Sequence, residues 1–322
     1  MRSALLFAVL LAAPENVKVS FVSDEAAAVL HILDKRARRE EITARDWASL
    51  FATEGYVRLA KREHSMQREF EDDAFRAFVM SDALLARREE LHATLASWTA
   101  RDISGAAKLA LAYLPANAKI EAKVYPVIKP KSNSFVFETD RDPAVFVYLE
   151  ALPQPVFEAI VAHELHHIGY ASSCTREDAP NRDLRRWVSA FGEGLATLAA
   201  SGGASPPRLK SDALEEWNRQ MARLPENFAI AQSFLTRVAR GELDADAQRK
   251  EGMALFGIVG PWYTVGWHMA VTIEQELGHE TLLRATCDQS LLLATYNEAA
   301  KQRNARTGQS LPMWDETVVG SR

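Results

Sequence analysis

Ile160-Val161-Ala162-His163-Glu164-Leu165-His166-His167-Ile168 is the stretch on which the reading of this chain turns. It contains H-E-x-x-H, with His163 and His167 one helical turn apart and Glu164 directly after the first histidine. On an α-helix, residues i and i+4 lie about 40° apart on one face, so both imidazoles can reach a single metal ion. Glu164 projects about 100° round from His163, where its carboxylate can hold a water beside the metal without ligating. Val156, Phe157, Ile160, Val161, Leu165 and Ile168 fall on the half of the helix that carries both histidines. A solvated histidine pair does not normally share its face with such a stripe, so the spacing predicts a buried, metal-binding helix.

Upstream of the motif the pattern is that of strands. Residues 120–128 alternate, and Ser134-Phe135-Val136-Phe137-Glu138 and Val145-Phe146-Val147-Tyr148-Leu149 are short β-branched and aromatic runs. Thr139-Asp140-Arg141-Asp142-Pro143 supplies a turn between the last two. Pro153 and Pro155 then restart the chain as the motif helix. A small sheet in this place either buries one face of the helices or offers an open edge to an extended peptide. Both readings stand.

Downstream, residues 172–182 form a polar loop, and a helix from about Asp183 carries an apolar stripe at Leu184, Val188, Phe191, Leu195 and Leu198. Glu193 lies nearly opposite that stripe, yet Gly192 and Gly194 flank it and its own face is Ser189, Ala196, Thr197 and Ala200. Small uncharged neighbours around one carboxylate suit the close approach of another helix rather than water. Zinc hydrolases often use a His-His-Glu set and leave the fourth position to water. Glu193 is therefore the candidate third ligand, with Glu177, Asp178 and Asp183 as the alternatives. Further on, 257–261 breaks the chain before a helix that stops at Gly278. In that helix Tyr263 and His268 are candidate hydrogen-bond donors to an oxyanion. Each is also at home as a core residue with a satisfied polar tip.

The remaining sequence is less specific. Residues 20–115 read as a helical subdomain, with Thr43 and Asp46 forming a capping box before Trp47, Leu50 and Phe51. His31, His64 and His92 have no partner at ligand spacing. Among 322 residues, 48% are hydrophobic and 25% charged, with a net charge of −5. This is the balance of an ordinary globular protein and gives no footprint for nucleic acid. Residues 1–13 place Arg2 before an apolar run ending in Ala12 and Ala13, which reads as a secretory signal too short to span a bilayer. Its removal would leave a periplasmic or extracellular protein with no stable membrane insertion. Cys174 and Cys287 are the only cysteines, and a disulfide or two separate thiols are both open.

With these residues in view, His163-Glu164-x-x-His167 followed by a helix bearing Glu193 resembles the gluzincin class of zinc metallopeptidases. Gly192-Glu193-Gly194-Leu195-Ala196 and the later Tyr263-x-x-Gly266 are similar to an uncharacterised family of zinc-dependent peptidases within that class. The likeness covers most of the chain after residue 20. It implies one zinc ion held by His163, His167 and Glu193, with Glu164 as general base. By analogy with the class's aminopeptidases, whose tyrosine opens a Y-x-K-G turn, it implies that Tyr263 stabilises the transition state. Val265 stands where that lysine would be.

The expectation is thus an α+β, zincin-like fold. A small sheet and the motif helix occupy 116–172, between a helical subdomain at 20–115 and another at 173–310 that carries the third ligand. The expected activity is zinc-dependent hydrolysis of peptide or protein substrates. The alternatives are a non-catalytic binding or structural protein that retains the zincin fold, or a metal-assisted amidase.

Overall fold

A computed structural model describes residues 16–174 and 181–320. The expected signal at 1–13, together with Glu177 and Asp178, lies outside the described residues. The chain is α+β: a four-stranded mixed sheet accompanied by helices on both sides of it in sequence. The strands are β1 (Val17–Phe21), β2 (Ile120–Val127), β3 (Phe135–Phe137) and β4 (Ala144–Tyr148), in the order β1-β2-β4-β3. β1 runs parallel to β2 and β2 parallel to β4, while β3 pairs antiparallel with β4, Phe135 opposite Phe146. β1 was not legible as a strand. It joins the sheet across a long sequence separation, Val19 opposite Ala122.

β4 is apolar throughout because it is a central strand covered on both faces. Its period of two sorts the side chains cleanly. Val145 and Val147 enter the large core under the motif helix, whereas Ala144 and Phe146 face a smaller cluster with Tyr125, Phe135 and Leu59.

The motif helix spans Gln154–Ser173 and begins after Pro153, with Pro155 in its first turn. Phe157, Val161, Leu165 and Ile168 bury into a core shared with Leu30, Leu33, Trp98 and the sheet. The Trp98 and Phe157 rings lie 4.6 Å apart. Thr43 and Asp46 do form a capping box on the helix Ala44–Phe51. A second core holds the C-terminal helices, and it takes in the whole stripe Leu184, Val188, Phe191, Leu195 and Leu198.

That stripe does not lie on one continuous helix. The helix Arg182–Val188 passes through a 3-10 turn at Ser189–Phe191 before the helix Gly192–Ser201 begins. A tighter turn shifts the phase of the helix after it, so Glu193 is set by that turn and not by a simple period of 3.6. Cys174, capping the end of the motif helix, is disulfide-bonded to Cys287 at the end of the helix His279–Cys287. Among the described residues no helix is long and apolar enough to cross a membrane.

Candidate metal centre

His163 and His167 project from the motif helix, and Glu193 from the first turn of Gly192–Ser201. His163 Nε2 lies 3.1 Å from Glu193 Oε2 and 3.1 Å from His167 Nε2, while His167 Nε2 lies 3.4 Å from Glu193 Oε2. A tetrahedral zinc ion with bonds of about 2.0–2.1 Å spaces its ligand atoms about 3.3 Å apart. The donor types and their separations therefore fit such an ion. Among the described residues these three form the one cluster of His, Cys, Asp or Glu donors able to hold a metal. Asp183 is not part of it.

The electrostatics of the three groups are strongly linked. Burial opposes charge on Glu193, but the two imidazoles outweigh it and hold the carboxylate far below its usual range. Burial likewise opposes a charged His167, yet Glu193 takes that ring up to about 9. Two imidazoles and a carboxylate at this spacing favour shared positive charge, which a proton or a divalent ion can supply.

Glu164 differs from its neighbours. It is buried, and desolvation pushes its pKa up against the pull of His163 and His167. Its carboxylate has no hydrogen-bond partner among the described residues. A buried carboxylate beside a metal set, left without a protein partner, is poised to exchange a proton.

Two helices meet at the site through glycine. A Cβ on Gly194 would lie 2.0 Å from the Trp267 nitrogen and 2.3 Å from the Gly266 carbonyl carbon, both backbone atoms of the helix Pro261–Leu277. A Cβ on Gly266 would lie 2.5 Å from the Phe191 carbonyl oxygen. Gly192, by contrast, has nothing within 4 Å of such an atom. The expected close approach therefore belongs to Gly194, with Gly266 as its counterpart.

This crossing brings Tyr263 to the cluster. Its ring stacks on His163 at 6.1 Å between centroids. Burial, followed by the carboxylates of Glu193 and Glu164, pushes its ionisation upward, so it stays a hydroxyl donor. His268 goes elsewhere. Five residues on, it lies about 140° round the helix, with the Tyr296 ring 6.1 Å away and Arg303 as its charged neighbour. His166, between the two motif histidines, is also spoken for: its Nε2–H donates to the Tyr113 carbonyl at 3.2 Å. Burial pushes its pKa down to about 3. His31 and His92 pair with Asp46 and Asp34, away from the centre.

A cleft of about 620 Å³ opens on the cluster, with His167 and Glu193 in its wall. Val136 on the edge strand β3 and Thr139 just beyond it line one side. Arg182, Arg185 and Arg186 line another, and none of the three was singled out in the sequence. Their signal was a run of cations on a short amphipathic helix, which is also what a solvated helix face looks like.

Residues 47–305 match the family described as "putative zinc dependent peptidase (DUF5700)". The chain belongs to this family. The name of the family points to a zinc-dependent hydrolase, and the His163, His167 and Glu193 cluster is one that could bind such a metal. No curated protein and no solved structure matches the chain.

Proposed function

We propose that this protein is a zincin-like metallopeptidase that hydrolyses peptide bonds at the His163-His167-Glu193 centre. The observation that carries the reading is the division of labour within H-E-x-x-H. His163 and His167 converge on Glu193 at 3.1 and 3.4 Å, while Glu164 stays out of the ligand set and without a hydrogen-bond partner among the described residues.

When bound there, zinc supplies a Lewis acid that lowers the pKa of water toward neutrality and polarises the acyl group. Glu164 accepts the proton of the attacking water, helped by the raised affinity for protons that burial gives it. It then returns that proton to the leaving amine. The Tyr263 hydroxyl donates to the oxyanion as negative charge develops on the former carbonyl oxygen. His163, His167 and Glu193 hold their geometry through the glycine crossing and the motif helix's buried face. An extended peptide has a place along the β3 edge, where backbone hydrogen bonds can align it with the cleft. Export accords with the Cys174–Cys287 disulfide, because such bonds persist in oxidising compartments.

Metal content tests the centre directly. Purified protein should hold about one zinc per chain, and Glu193→Ala should lose it or bind it far more weakly. Zinc retained in full by that variant would move the third ligand elsewhere. A metal-free chain that also fails to take up added zinc would favour a non-catalytic binding protein.

A further inference from the structure

We infer that the cleft beside the metal centre selects a carboxylate on the substrate, held by the arginine face of the helix Arg182–Val188. The identity of the substrate rests on the peptidase reading, and its charge on the geometry of that helix.

Arg182, Arg185 and Arg186 stand at positions i, i+3 and i+4, within about 100° of one another round the helix. Leu184, Trp187 and Val188 occupy the opposite side and are buried in the C-terminal core. The apolar side thus fixes the helix so that its arginines face the cleft. Asp183, the one acid on this helix, is exposed and does not line the cleft.

Among the described residues, the charges on this wall are poorly neutralised. Arg185 has, among the described residues, only a long ion-pair contact, to Asp288, 3.7 Å between Nη2 and Oδ1. Arg182 and Arg186 have no ion-pair partner among the described residues. Among the described residues Glu193 is the one acid in the cleft wall, and it is already held by the two imidazoles. The chain as a whole is acidic, with 38 Lys and Arg against 43 Asp and Glu, so three arginines on one cleft wall do not follow from composition. Guanidinium groups match carboxylates in a planar, bidentate manner that lysine cannot reproduce. The cleft volume of about 620 Å³ accommodates several substrate residues beside the metal centre.

The test is binding to the Glu164→Gln protein loaded with zinc, which keeps the cleft but does not consume the probe. Fluorescent peptides of one sequence would carry Glu, Gln or Lys at a single position with both ends blocked. A fourth probe would carry Gln and a free C-terminal carboxylate. The Glu probe should bind about tenfold more tightly than the Lys probe at low salt. Arg182→Glu together with Arg186→Glu should abolish or invert that order, while Arg182→Lys with Arg186→Lys retains part of it. Zinc content and the thermal midpoint should not change in either variant. Preference for the fourth probe over the Glu probe would assign the wall to a terminal carboxylate instead of a side chain. Equal binding of all four probes, or an order unaffected by charge reversal, would overturn the inference while leaving the metal centre untouched. Charge-ordered binding by a protein that hydrolyses nothing in its Glu164 form would do the reverse.

Discussion

Arg58 and the cluster around Glu164 both place ionisable groups in the interior, and their surroundings are built differently. Around Arg58 the guanidinium is surrounded by acceptors: the Tyr125 hydroxyl at 3.1 Å, the Asp142 carboxylate at 2.9 Å and Glu138 at 3.0 Å, with the Asp142 carbonyl beside them. Among the described residues its Nε–H finds no acceptor. Tyr125 in turn donates to Glu54, which also takes Lys123. The network ties the helix Glu54–Ser65 to the β3–β4 hairpin and leaves little capacity for anything else. At the candidate metal centre the same burial is left open. Glu164 has no hydrogen-bond partner among the described residues, and His163, His167 and Glu193 form a cluster that could hold a cation. A saturated network holds a fold together, while an unsaturated one keeps chemistry available.

Glu164→Gln is the sharpest way to break that comparison. Activity should fall by about 10²–10⁴-fold with zinc retained, because the base is lost but no ligand. The thermal midpoint should hold or rise, since a buried acid with no partner is replaced by a neutral isostere. Full turnover by this variant would remove Glu164 from the mechanism.

Tyr263→Phe should come next, lowering kcat by about 10²–10³-fold with KM little changed and zinc unaffected. A matching rise in KM alone would make the tyrosine a binding residue. Arg58→Met reverses the pattern: stability should drop by about 1–3 kcal/mol, discounted because Asp142 is well exposed, with zinc content unchanged. Chemical denaturation read beside elemental analysis would show the separation. Loss of zinc in that variant would mean the two regions are coupled.

Over any one pH unit the smallest effect concerns Glu25, whose carboxylate accepts the Ile128 N–H at 3.0 Å. Burial raises its pKa from 4.5 to about 8. The folded chain therefore holds an extra proton between those values, and this contribution to stability is full below about 4.5 and lost as the pH rises toward about 8. The slope cannot exceed about 1.4 kcal/mol per pH unit. Glu25→Gln should flatten the melting profile over that range. An unchanged slope would assign the titration to another group.

Much of this was legible because it is local. H-E-x-x-H needs only the helical period to bring His163 and His167 together, and the capping box at Thr43 needs only three residues of spacing. The runs at 134–138 and 145–149 announced strands through side-chain type alone. Glu193 was readable for a different reason: small uncharged neighbours around a lone carboxylate signal a contact, though not the partner.

What only the tertiary structure decided is which distant pieces meet. The 3-10 turn at Ser189–Phe191 sets the phase of Glu193, and the contact of Gly194 with Gly266 delivers Tyr263 to the centre while sending His268 the other way. β1 joins the sheet, Cys174 finds Cys287, and three arginines turn from a helix face into a cleft wall. The physical reason is common to all of them. Side-chain period is a property of a few neighbouring residues, whereas the approach of two elements depends on the shape of both surfaces and on a chain path no local pattern encodes.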